Sequence, residues 1–409
     1  MRAQSCSRHL DRRRMREKDD DAPLLLDASR LIWRRWTGTR ATGIDRICLA
    51  WMEHYGPRAQ AVIVHRRGQA ILPFKTSQAL FRLLMEPESG KNDVFRFRAA
   101  MAALAIRRSG HVRDRLEGRN RFWLNPGHTG LDRPGLPGWV RRRKLRPVYL
   151  VHDLIPITHP QFCREGEHER HRRRMLTVLD TGAGVVANSA HTLTTLREFA
   201  AAEGRVLPRA VVAWPGTPAL PRMQDRQSAE PTFVILGTIE GRKNHALLLS
   251  LWSKMLAGRA NIPVPRLVIV GRRGWQADHV FAEIDRGAFD DRVVEAGPLD
   301  DAELAETLAR ARALLFPSFA EGYGIPLAEA LATGVPVIAG DLPVFREIGQ
   351  GVPELLAIGD SGGWLSALED YARPDSPRRA AQLARLKTFM APDWPGHFAA
   401  VDALLASLG

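Results

Sequence analysis

Only three cysteines occur in the 409 residues: Cys6, Cys48 and Cys163, far apart, with no CxxC pair. That number and spacing exclude a disulfide framework and a thiolate zinc site, and they fit a reducing cytoplasm. Long apolar runs are also missing; none approaches the roughly 20 residues that span a bilayer. The start, MRAQSCSRHLDRRRMREKDDD, lacks the apolar stretch of a signal peptide. Residues 1–21 therefore read as a disordered basic arm. Acidic residues are in deficit, 45 against 59 Lys and Arg, for a net charge of +14. Such a surface attracts polyanions. No RNA-binding aromatic segment, zinc finger or helix-turn-helix pattern points to nucleic acid. Phosphorylated substrates and an anionic membrane surface remain as partners. The expected setting is the cytoplasm, with peripheral contact at the inner membrane face.

What is present is an ordinary globular composition, 45% hydrophobic and 25% charged. The length favours two domains. Short apolar strands alternate with helical stretches from Ala22 onward. Strands are expected at Leu24–Leu26, Val62–Val64, Phe122–Leu124, Val148–Val151, Gly184–Ala187 and Ala210–Ala213. The second half repeats the pattern at Phe233–Leu236, Arg266–Val270, Val293–Glu295, Ala313–Phe316 and Val337–Ala339. This alternation predicts an α/β protein with parallel, doubly wound sheets. Pro215, Gly216, Pro218, Pro221 and Pro231 mark the boundary. The expected division is 22–216, a linker at 217–230, 231–392, and a last helical segment at 393–409.

The stretch FPSFAEGYGIPLAEALATGVPVIAG, Phe316–Gly340, is the most informative. It reads as strand, glycine-broken loop, helix and strand. Gly322 and Gly324 let the backbone approach a ligand, and Pro326 suits the first helical position. The helix N-terminus beside them suits a phosphate. Glu321 in the loop and Glu329 in the first turn can accept paired hydroxyls of a sugar or ribose. Two glutamates eight apart are, by themselves, usually a solvated helix face. Arg242 and Lys243 sit at the mouth of the next site, after the strand that ends at Gly237, where open α/β sheets bind ligands. Arg offers a planar fork for phosphate oxygens and Lys a point charge.

The order Ser318, Glu321, Gly322, Gly324, Pro326, Glu329, Ala330, Gly334, Pro336, Val337 resembles the E-x7-E signature of retaining glycosyltransferases of the GT-B fold, family 4. These include bacterial mannosyl- and glucosyltransferases. The resemblance is strongest over residues 233–350 and implies two Rossmann-like domains facing across a cleft. It implies transfer of a hexose from a nucleotide-diphosphate sugar to a saccharide or lipid-linked acceptor in cell-surface polysaccharide synthesis. No cofactor and no metal are implied. Glu321 would hold the sugar, Glu329 the ribose, and Lys243 and Arg242 the diphosphate. Gly322, Tyr323, Gly324 and Ile325 would line the donor, as would Gly237, Thr238, Gly271 and Arg272. Thr238 stands where the family often has Arg. The GT-x-E-x-RKN form is similar to that of enzymes using GDP-mannose.

In the first half, TRATGIDR follows the opening strand. Gly43 is expected to open a helix facing the donor diphosphate, with Arg46 near a phosphate or the acceptor. His152 and Asp153 end a buried strand and so face the cleft; the resemblance sets His152 against the transferred sugar. His128 and Thr129 in NPGHTGL are candidates for the acceptor side. The charged stretch Arg164–Arg174 is a mobile flap over the acceptor, a contact for a lipid diphosphate, or a solvated helix face. The last helix is expected to cross back onto the first domain, again from the resemblance. The alternatives are a nucleotide-sugar epimerase of the same fold and a non-catalytic polyanion-binding protein.

Overall fold

The computed structural model describes residues 23–409 apart from 40, 67, 88–92, 109–119, 218–229 and 260–261. The basic arm and most of the linker, with Pro218 and Pro221, lie outside the described residues.

The first sheet is built from β1 (Leu24–Asp27), β2 (Ala59–His65), β3 (Gly68–Ile71), β4 (Phe122–Asn125), β5 (Arg146–Val151), β6 (Gly184–Ala187) and β7 (Arg209–Val212). Its spatial order is β3-β2-β1-β4-β5-β6-β7. All neighbours are parallel except the β2–β3 hairpin at the edge. The second sheet holds β8 (Thr232–Leu236), β9 (Arg266–Val270), β10 (Val293–Gly297), β11 (Ala313–Phe316), β12 (Val337–Gly340) and β13 (Glu354–Leu356). Its order, β10-β9-β8-β11-β12-β13, is parallel throughout. Counted from β8, that is the 3-2-1-4-5-6 order of dinucleotide-binding sheets, whose ligand crevice opens where the order reverses. Here the reversal lies between β8 and β11. The central strands are apolar on both faces, as Phe233, Val234 and Ile235 show, because helices cover both sides.

Most strands fall where the apolar runs place them. The expected β7 lies one residue earlier, at Arg209–Val212. Two weak edge strands, β3 and β13, were not legible: GQAI and ELL are short and only half-buried. A helix, Ser29–Thr37, stands between β1 and the TRATGIDR segment. Gly43 therefore opens the second helix after the strand, not the first.

The last helix, Trp394–Leu408, packs on the first sheet. Phe398, Val401 and Leu404 join the core of β1, β4 and β5. Trp51 Nε1 donates to His397 Nε2 at 2.9 Å, and Tyr55 donates to Asp402 at 3.0 Å. The His397 Nδ1 proton goes to the carbonyls of Ala213 and Trp214. Burial pushes this imidazole down to about 4, which keeps it neutral and able to do both. The Leu404→Ala variant is expected to lose about 2–4 kcal/mol through the cavity it leaves. Urea unfolding of that variant checks this; an unchanged midpoint would contradict the docking of this helix.

Candidate active site

The β11 strand ends at Phe316, and the chain then turns through Pro317–Glu321 at the carboxyl edge of the second sheet, at its order reversal. Glu321 is nearly buried, with its side chain 9% exposed. Its Oε1 lies 2.5 Å from Lys243 Nζ and 2.8 Å from the Arg242 guanidinium. Burial opposes its charge, but the two cations outweigh burial and hold the carboxyl down at about 2. Glu240, the acidic residue of the GT-x-E-x-RKN form and given no role in the sequence reading, accepts both the Nε and Nη2 of Arg242, at 3.1 and 2.6 Å. Arg242 also donates to the carbonyl of Ala320 at 2.6 Å. Lys243 lies over the Phe316 ring, 4.6 Å from its centre, and its stem crosses Gly237.

The helix Ile325–Ala332 starts from Gly324, whose φ of 92° is left-handed. Pro326 is its second residue and Glu329 its fifth, one turn deeper than the spacing suggested. Glu329 is 3% exposed. Burial lifts its carboxyl to about 7 against the pull of Arg46. Arg46 reaches across from the first domain and donates to Glu329 at 2.9 Å; its other branch bonds Asp301. Arg46 thus bridges Glu329 and Asp301.

Gly43 begins the helix Gly43–Tyr55, and Thr42 and Asp45 close a capping box there. A Cβ on Gly43 would lie 2.4 Å from Ile325. The N-terminal ends of the two helices therefore meet across the cleft. Gly322 is just as tight: a Cβ there would sit 2.1 Å from the His152 carbonyl oxygen. Ser189 and Thr192 hydroxyls donate to the Gly322 carbonyl at 2.8 and 3.1 Å, and Asn188 donates to that of His152 at 2.8 Å. Glu347 of the second domain accepts from the amides of Ala190 and His191 and from Trp214 Nε1. The bonds to Gly322 and Glu347 went unread because their partners lie more than a hundred residues apart. Asn188 and Ser189 showed only as a helix cap.

Other candidates stand differently. His152 is buried, and its Nε2 donates to the Pro126 carbonyl at 2.7 Å. Burial pushes it down to about 4 and keeps it neutral. Asp153 caps the following turn at the Ile155 amide. His128 packs 5.0 Å from the His152 ring, in a left-handed conformation, and Thr129 lies beside it. Tyr323 is buried and donates to the Pro215 carbonyl at 3.1 Å. Gly271 and Gly237 press on each other: a Cβ on Gly271 would meet the Gly237 oxygen at 1.9 Å. Their smallness serves strand-end packing. Thr238 borders Gly274, and Arg272 is exposed. The Arg164–Arg174 stretch enters the helix Glu167–Thr181, where Arg170, Arg172, Arg173 and Arg174 are paired with Glu167, Glu169 and Glu203. Its charge is largely compensated. No group of three metal-ligating side chains is gathered among the described residues.

Residues 230–373 match the family described as Glycosyl transferases group 1. The second domain belongs to this family. The serotype-specific mannosyltransferase WbdA of Escherichia coli is 30% identical over 222 residues, 49% of this chain. The O-antigen chain mannosyltransferase B of Escherichia coli is 26% identical over 240 residues, 55% of this chain. The matched parts span 27% and 58% of those two relatives. Among solved structures, Anabaena Alr3699/HepE in complex with UDP and glucose superposes with a TM-score of 0.63. That match covers 94% of this chain and 99% of the other, at 14% identity. The group 1 domain and its partner thus have the two-domain GT-B arrangement. The Arg242–Lys243–Glu321 cluster and Glu329 all lie within the matched domain.

The raised carboxyl of Glu329 has a thermodynamic signature. The folded state holds its proton more tightly than the unfolded chain, so its contribution is present below about pH 4.5 and lost as pH rises towards 7. The Glu329→Gln variant removes that loss. Its melting temperature relative to the parent should climb between these pH values and then level off. Parallel curves for the two proteins would contradict the burial.

Proposed function

We propose that the protein is a retaining glycosyltransferase. It moves a hexose from a nucleotide-diphosphate sugar to a saccharide or lipid-linked saccharide in cell-surface polysaccharide synthesis. The observation that carries this reading is Glu321 clamped between Arg242 and Lys243 beside a helix N-terminus, at the order reversal of the second sheet. The Glu321 carboxylate satisfies both cations by itself. A donor diphosphate would draw the two cations onto its own oxygens, assisted by the start of the helix Ile325–Ala332. Glu321 is then released to accept hydroxyls of the hexose.

On this reading Glu329 takes the ribose hydroxyls, and Arg46 yields it by keeping Asp301. The cations and the helix end stabilise the charge that grows on the leaving diphosphate. The departing phosphate oxygen receives the acceptor proton on the same face of the sugar, which gives retention. His152, neutral and anchored, borders the sugar from the first domain. The latches around Gly322 keep the cleft closed, so that transfer outruns hydrolysis. Both Escherichia coli relatives are named mannosyltransferases, which supports mannose as the sugar and GDP-mannose as the donor. Work at an anionic membrane surface belongs to the same proposal. Trp33 and Trp36, 59% and 45% exposed on one helix, support it. No helix among the described residues is long and apolar enough to cross a membrane.

Glu321→Gln separates binding from chemistry. Freed cations should bind GDP about tenfold more tightly, read by calorimetry. Release of GDP from GDP-mannose should fall by about 10²–10³. A variant that binds GDP no better and releases it as fast would overturn these roles. If the parent binds none of the GDP-, UDP- or dTDP-sugars, the transferase reading fails.

A further inference from the structure

Glu240 follows the end of β8 on a turn that is pinned from both sides. Ile239 is fully buried, forms a parallel bridge with Arg273, and donates its amide to the Arg272 carbonyl at 2.9 Å. The Gly241 amide donates to the Trp275 carbonyl at 3.3 Å. A Cβ on Gly241 would lie 2.9 Å from the Gln276 carbonyl oxygen, so the chain passes there without room for a side chain. The Lys243 amide then donates back to the Glu240 carbonyl at 2.9 Å and closes the short turn Gly241–Lys243. The backbone of Glu240 is fixed before its side chain makes any contact. That side chain is buried, 5% exposed.

The Glu240 carboxylate meets Arg242 along one edge. Its Oε1 accepts from Nε at 3.1 Å and from Nη2 at 2.6 Å. The remaining branch, Nη1, donates to the Ala320 carbonyl at 2.6 Å and stands 2.8 Å from Glu321. A guanidinium is planar, with its donors in a fixed fork. Holding the Nε–Nη2 edge therefore fixes where Nη1 points. Thr238, where the family often has Arg, brings no guanidinium. Its methyl packs at Gly274, where a Cβ would lie 2.5 Å away. Arg242 is then the planar donor of this turn, and its aim is set by Glu240.

Charge and geometry give Glu240 opposite effects on an incoming phosphate. As a buried charge it repels the anion, with little screening by salt. As an acceptor it orders in advance a side chain whose many rotamers would otherwise be ordered at binding. It also occupies Nη2. Without it, the fork could grip Glu321 with two parallel bonds, and a diphosphate would have to break both. Geometry wins, because the repulsion is offset on the guanidinium itself, whereas the lost aim and the tighter hold on Glu321 both act against the ligand.

We propose that Glu240 is a positioning residue for diphosphate binding, holding one edge of Arg242 so that Nη1 passes from Glu321 to a phosphate oxygen. The role deepens the transferase reading and rests on it for the identity of the anion. The two glutamates on one arginine then act in opposite senses: Glu321 competes with the ligand, and Glu240 prepares its cation.

Calorimetry on the parent, Glu240→Ala and Glu240→Gln tests this with GDP and UDP, each beside its monophosphate. Glu240→Ala should bind the diphosphate about tenfold more weakly, while the monophosphate, which lacks the β-phosphate, keeps its affinity. Glu240→Gln retains an acceptor oxygen and should recover most of that loss, to within about threefold of the parent. Tighter diphosphate binding in either variant would mean that charge alone acts, and overturns the positioning role. So does an equal fall for diphosphate and monophosphate, which marks a merely structural residue. Should Glu240→Ala fail to fold, the Glu240→Gln result decides: diphosphate binding about tenfold tighter than in the parent overturns the role. A parent that binds no nucleoside diphosphate fails the transferase reading and takes this role with it. A parent that binds one, beside variants that bind it as tightly or more so, fails Glu240 alone.

Discussion

The arrangement at the cleft depends on one buried electrostatic fact. A single carboxylate, Glu321, neutralises two cations that the chain has forced close together. Arg242 and Lys243 are adjacent on one short turn, and both point inward because Glu240 and the Ala320 carbonyl hold the guanidinium and the Phe316 ring receives the ammonium. Removing one partner of such a cluster costs about 3–5 kcal/mol, because it strands an unpaired buried charge. Glu321 therefore stays on its two cations. Under the proposed function, a donor diphosphate, with more negative charge than one carboxylate, takes those cations over. Stability and donor recognition would then use the same groups, with Glu321 changing partner.

The second constraint is closeness. Gly43 against Ile325 and Gly322 against the His152 carbonyl leave no room for a methyl group. Around these contacts Ser189, Thr192 and Glu347 tie the domains together with directional hydrogen bonds. Hydrogen bonds of this kind open and close more readily than an apolar seam, which suits a cleft that must admit and release a ligand. The last helix adds a permanent tether by joining the core of the first domain, while the residues before it belong to the second.

Much of the fold was legible in the sequence. Parallel strands buried on both faces appear as short apolar runs, so β1, β5, β9 and β11 could be placed almost to the residue. The edge strands β3 and β13 have no such run, since half of each faces solvent. The Glu321 and Glu329 pair, the RK turn and the glycine loop carried a local pattern and could be found. What they touch could not: Arg46 meets Glu329 across 283 residues. Neither the bond of Tyr323 to the Pro215 carbonyl nor the packing of Gly271 on Gly237 carried a local signal. The charged stretch Arg164–Arg174 left its role open, and the fold shows its helical arginines paired with glutamates.

A crystal structure with the nucleoside diphosphate that binds best tests the central claim most directly. The account predicts β-phosphate oxygens within hydrogen-bond distance of both Arg242 and Lys243, with Glu321 turned off the cations towards the sugar position. An intact Lys243–Glu321 bond, with the diphosphate seated elsewhere in the cleft, would contradict it.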